Sequence, residues 1–221
     1  MKPHGMLVIA ACFSNTLAFA SPPPPTSALI PVTTVIAGVS VATKREDLRL
    51  AMRQLWEDHI TYTRNFIIST LADLPDQQAV TERLLANQKD IGNAVKPYYG
   101  AEAGDKLTGL LREHILIAAD VVKAAKVGST DSLAKAQKRW NANGKDIAAF
   151  LSGANPNWSK SSLESMLQKH LDFTTGEVVA RLQKNWVADI KSYDDGHMHM
   201  MMFSDALTEG IVKQFSNKFL G

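Results

Sequence analysis

Histidine is the side chain whose placement in this sequence most invites chemistry. Six occur in 221 residues. Four of them, His59, His114, His170 and His197, fall on apolar stripes at helical spacing, and the first three are 55 and 56 residues apart. Imidazole is the commonest protein ligand for transition metals. Bundles hold such ions with side chains that converge from facing helices. His59, His114, His170 and His197 therefore form the candidate metal set, with copper, iron or zinc as the ion. Asn87, Asp90, Asn143, Asp146 and Glu177 lie at similar heights and form a candidate supporting polar layer that would orient the rings.

A second pattern is the run His197-Met198-His199-Met200-Met201-Met202. Thioethers and imidazoles together suit copper. On a helix, however, His197 and Met201 share a face while His199 points elsewhere. The run then reads as a methionine-rich core stripe with one exposed histidine. The layer itself has a plainer reading too. A histidine on an apolar face is ordinarily bonded to a carbonyl or an asparagine, and duplication copies it whether or not it has a use.

Other chemistry is scarcely written in the chain. There is no Glu-x-x-His pair of the di-iron kind and no His-Glu-x-x-His. No Gly-x-Ser-x-Gly elbow occurs, and no glycine-rich loop follows a strand. Enzyme activity is not indicated; acid–base catalysis by the histidines would need a cleft reaching them. The net charge of +2 and the lack of an interleaved basic and aromatic patch argue against nucleic acid as a partner.

The elements that must position these residues are helices. Residues 1–20 read as a signal peptide. Met6 to Ala20 is mostly apolar and ends in Ala18-Phe19-Ala20, a small-x-small cleavage pattern. This predicts a periplasmic or secreted protein that meets the membrane only transiently, through that segment. Cys12 lies inside it and is the only cysteine, so the mature chain would have no disulfide and no thiolate site. Residues 21–43 form a proline-rich linker followed by an apolar arm from Ala28 to Thr43, too short to span a membrane and a candidate contact between copies in a homo-oligomer.

Residues 44–221 carry helical periodicity throughout. The spacing predicts helices over about 45–72, 76–95, from 101, from 131, from 159 and from 185. Breaks fall at Leu74-Pro75-Asp76, Lys96 to Gly100, Gly128 to Asp131 and Asn155-Pro156-Asn157. Arg83 to Ile91 aligns with Arg139 to Ile147 at a spacing of 56, and Ala188-Asp189-Ile190 is a faint third echo. The expectation is an all-α, up-and-down bundle of about six helices built from three hairpins. Such a bundle would bind a transition metal or small ligand at its histidine layer, or serve as a structural or protein-interaction module.

Several strings resemble a family of small, exported, helical bacterial proteins: Leu55-Trp56-Glu57-Asp58-His59, Asp90 to Gly100, Glu113 to Ala118, Ala154 to Trp158 and Gly210 to Phe215. The likeness runs from about residue 48 to 219. It implies a helical domain and a pattern holding His59, His114, His170 and His197, with His199 variable. Members sometimes carry the labels glycosyltransferase or acetylglutamate kinase. Both activities require an α/β sheet and a nucleotide site, and the helical pattern offers neither.

Overall fold

The computed structural model describes residues 32–220. The signal segment, the proline-rich linker and the first residues of the arm lie outside that range. The described chain is all helical: α1 Val32–Leu71, α2 Gln77–Lys126, α3 Thr130–Ala154, α4 Lys160–Leu182, α5 Trp186–Gln214 and the short α6 Ser216–Phe219. α1 begins thirteen residues earlier than the periodicity predicts, so most of the apolar arm is the start of this helix.

α2 is two arms joined at a corner. Helical hydrogen bonding continues past Pro97, and the direction changes at Gly100, whose φ of 85° and ψ of 169° are open to glycine alone. Beyond the corner, Gly92 and Gly104 bring the arms into backbone contact; a Cβ on either would lie 2.6 Å from the other's carbonyl oxygen. The bundle thus has six long arms: α1, α2 residues 77–99, α2 residues 101–126, α3, α4 and α5.

Three of the connections are the same turn. Asp73, Gly128 and Lys184 adopt φ of 52°, 69° and 57°, the left-handed cap that closes a helix. Behind each cap the next amide reaches back five residues: Leu74 N to Ser69 O, Ser129 N to Ala124 O and Asn185 N to Ala180 O, at 2.9–3.0 Å. The three caps are 55 and 56 residues apart, the spacing of His59, His114 and His170. Three hairpins of one design therefore stand side by side: α1 with 77–99, 101–126 with α3, and α4 with α5.

Salt bridges close the ring between the first and last hairpins. Arg45 pairs with Glu209, and Arg53 forks onto Asp205 at 2.8 and 2.5 Å. Deeper in, Arg64 reaches both Glu177 and Asp189, and Arg181 also bonds Asp189, at 2.7–3.2 Å. Because Glu177 and Asp189 are nearly fully buried, this network is an ionic element of the core; breaking it by removing one partner would strand an uncompensated charge.

The apolar core divides at mid-height. One cluster, including Met52, Trp56, Ile91, Leu111, Ile147, Phe203 and Leu207, fills the half nearer the Gly100 corner. Two smaller clusters, around Phe66, Ile67 and Val122 and around Val121, Trp140 and Leu171, fill the half nearer the hairpin turns. The histidines lie between them.

Candidate functional site

Each cap fixes the height of two polar positions. His59, His114 and His170 all precede their cap by 14 residues, on α1, the second arm of α2 and α4. Asn87, Asn143 and His199 follow it by 14, 15 and 15. The rise of about 1.5 Å per residue brings the two sets level.

The same hydrogen bond recurs in all three hairpins. Asn87 Nδ2 donates to Leu55 O at 2.9 Å, Asn143 Nδ2 to Leu110 O at 3.1 Å and His199 Nε2 to Met166 O at 2.8 Å. In each case the carbonyl belongs to the residue four before the layer histidine. His199 is thus the third copy of Asn87 and Asn143, at the 56-residue spacing.

His197 is placed differently from expectation. It lies two residues from the repeated position, a rotation of about 200° on a helix. It sits on the seam between α1 and α5, a third exposed, bonded through Nε2 to Glu57 and 6.1 Å from the Tyr193 ring. Of the two histidines in the methionine run, His199 is the buried one, beside the buried Met200. Gly196 does not interrupt α5; it admits Phe173, whose Cβ would lie 3.2 Å from an added Cβ.

The other predicted supports also separate. Asn87 and Asn143 are in the layer. Asp90 and Asp146 point to solvent, each one residue before a buried isoleucine. Glu177 is buried, but in the ionic network with Arg64. Burial pushes its carboxyl up to about 7, against the pull of Arg64.

His59, His114 and His170 do come together. The His170 ring lies 5.5 Å from that of His59 and 5.9 Å from that of His114, centroid to centroid. All three are buried and held neutral. Burial drives His59 down to about 3 and His114 to about 4, and His170 falls well below its ordinary value. Repulsion among the rings adds to the burial effect at His59 and His170.

The three rings are not equally satisfied. His114 uses both nitrogens: Nδ1–H donates to Asn143 Oδ1 at 2.8 Å, and Nε2 accepts from Trp140 Nε1 at 3.2 Å. These bonds fix its tautomer and leave it no free lone pair. His59 has only a long contact, 3.4 Å from Nδ1 to Gln88 Nε2, because Leu84 stands where the second hairpin has Trp140. His170 has no hydrogen-bond partner among the described residues; only burial and neighbouring rings act on it. Beside His59, Trp56 Nε1 and Gln88 Oε1 are buried without a partner. Trp56 packs edge-on against His59 at 5.5 Å, and Gln88 touches that ring. The layer thus has a closed half at His114 and an open half at His59 and His170.

The open half meets one geometric condition for a shared ion. Two imidazoles bound to one zinc at about 2.0–2.1 Å per nitrogen have centroids no more than roughly 6.4 Å apart. His59 and His170 satisfy this at 5.5 Å. No group of three or more His, Cys, Asp or Glu side chains is arranged to hold a metal ion among the described residues. Trp140 also lines a groove of about 500 Å³ between α3 and α4, so its indole stands between His114 and the surface.

The missed residues, Gln88, His199, Trp56 and Trp140, had a signal for one of them alone: the spacing from 87 to 143 to 199. No family model matches the chain, and neither the curated proteins nor the solved structures contain a match.

Proposed function

We propose that the protein is an exported helical bundle that binds a transition-metal ion at the open half of its histidine layer, with His59 and His170 as the protein ligands. The observation that carries this reading is the pair of neutral, buried imidazoles 5.5 Å apart, one of them unbonded and the other weakly bonded. An unpaired buried polar group costs about 1–3 kcal/mol, so native proteins seldom keep several together without an occupant. Ligation needs the neutral ring, and burial supplies it.

Gln88 fits the same assignment. Its Nε2 already donates to Leu84 O at 2.8 Å and to Asn87 Oδ1 at 3.1 Å, so the 3.4 Å contact with His59 Nδ1 is the weakest of the three and holds that ring only loosely. Export rests on the pattern of residues 1–20, which lie outside the described residues.

The test uses untagged full-length protein purified without a chelating column. Elemental analysis is expected to show copper, zinc or iron, and adding the ion to stripped protein to raise the melting temperature. His59→Gln and His170→Gln should each abolish the shift. Protein that contains no metal and whose melting temperature does not respond to any of the three ions would sink the proposal.

A second reading is favoured by a different observation. His114, Asn143 and Trp140 form a closed hydrogen-bonded set, and the side-chain-to-carbonyl bond recurs in every hairpin. That half of the layer fixes the register of the hairpins, as expected of a structural or interaction module without catalysis.

A further inference from the structure

The three hairpins provide an internal comparison for their outer faces. The outward stripe of α5 carries Val187, Ile190, Lys191, Asp194, Met198 and Met202. Its apolar members are 80%, 53%, 60% and 53% exposed. At the positions 56 residues earlier, α3 has Asp131, Ala134, Lys135, Lys138, Ala142 and Asp146. One repeat earlier still, the first arm of α2 has Gln78, Glu82, Ala86 and Asp90 at four of them. All ten of these side chains are exposed. The scaffold therefore does not require apolar residues there. Two of three equivalent faces are solvated, and the third bears valine, isoleucine and two methionines in place of aspartate, glutamine and alanine.

The order of residues along the stripe identifies what fits it. Apolar residues stand at both ends. In the middle Lys191 and Asp194 stand one turn apart, beside Asp195, to which Lys191 Nζ donates at 2.8 Å within the helix. A second α5 laid antiparallel about a two-fold axis between Lys191 and Asp194 sets each lysine against the other copy's aspartate, twice. The same operation lays Val187 over Met198 of the second copy, twice, while Ile190 falls opposite Asp195 and Met202 extends past the start of the partner helix. An isologous interface demands this self-complementarity, in which i meets j and j meets i. The self-paired stretch from Val187 to Met198 is about 16 Å long at 1.5 Å per residue, and an unbranched methionine adapts to an opposing surface.

We infer that the outer face of α5 is a homodimer interface, paired antiparallel with the same helix of a second copy through the Lys191–Asp194 charge pair and its flanking apolar residues. This accounts for Met198, a residue of the His/Met run that the histidine layer does not use. It is independent of metal binding.

The experiment is sedimentation equilibrium of the full chain across a concentration series, comparing wild type with Lys191→Asp, Asp194→Lys and the double charge swap. Wild type is expected to be a dimer. Each single variant should raise the dissociation constant at least about tenfold, and the swap should restore it to within about threefold of wild type. Met198→Lys should weaken the dimer similarly, while Ala142→Lys on α3 should not. A monomeric wild type overturns the inference. So does a dimer whose mass ignores the α5 variants, which would move the contact elsewhere, for example to residues 28–43. Failure of the charge swap to rescue the dimer overturns the proposed antiparallel register.

Discussion

At the scale of the residue, the layer histidines differ because their neighbours differ. His114 donates to Asn143 and accepts from Trp140; His59 has leucine at the tryptophan position, and His170 faces His199. Asn143→Leu removes an acceptor from a buried ring N–H and a donor from the Leu110 carbonyl. It should destabilise the bundle by about 1–3 kcal/mol, read from urea unfolding, since an orphaned buried group carries its full desolvation cost. A loss below about 0.5 kcal/mol would mean that the closed half does not lock the hairpin. Much of this layer is legible in the sequence: three histidines at a 55 and 56 spacing, with Asn87 and Asn143 opposite. The sixth member is not, because the third copy substitutes His199 for asparagine and Phe203 for the isoleucine at 91 and 147. A histidine two residues away on the same helix then matches the apolar stripe nearly as well.

At the scale of the element, approach distance matters more than propensity. Gly92 and Gly109 both interrupt α2, yet only the first has neighbours. A Cβ on Gly92 would meet Thr108 Oγ1 at 1.9 Å and the Gly104 carbonyl at 2.6 Å, whereas one on Gly109 meets nothing within 4 Å. Gly92→Ala should cost about 1–3 kcal/mol through overpacking, and Gly109→Ala should gain about 0.5–1 kcal/mol through helix propensity. Thermal melts of the two variants check the contrast; a shift of the same sign in both would refute the close-packed corner. The sequence marks this corner with Pro97 and Gly100 but suggests a loop from Lys96. Proline removes one amide and clashes with one carbonyl, and the helix carries on to the glycine, where the backbone turns. Hairpin caps are harder to read, since Asp73 and Lys184 occupy the left-handed position that only Gly128 advertises.

At the scale of the whole molecule, three depressed imidazoles make stability depend on pH. Each ring binds its proton less tightly in the fold than in the unfolded chain. The unfolded state therefore takes up protons first as the pH falls. The stability conferred by the neutral layer is complete above about 6.5 and is lost progressively toward about 4 for His114 and about 3 for His59. Glu177 has the opposite sign. Its folded value near 7 lies above its ordinary 4.5, so its contribution is complete below about 4.5 and lost as the pH rises through 7. Urea midpoints for the metal-stripped protein should fall steeply between about pH 6 and 4, with net proton uptake on unfolding. Glu177→Gln should remove the opposing loss near neutrality. A midpoint that holds constant between pH 6 and 4 would contradict a neutral buried layer.

The open half of the layer bears on all three scales, and imidazole nitrogen NMR reads it directly. In ¹⁵N-histidine-labelled protein stripped of metal, His114 should appear as the Nδ1–H tautomer. One equivalent of zinc should then shift the ring nitrogens of His59 and His170 and leave the His114 Nδ1–H in place. Spectra unchanged by zinc, or shifts confined to His197 and His199, would contradict the assignment of the ion to His59 and His170.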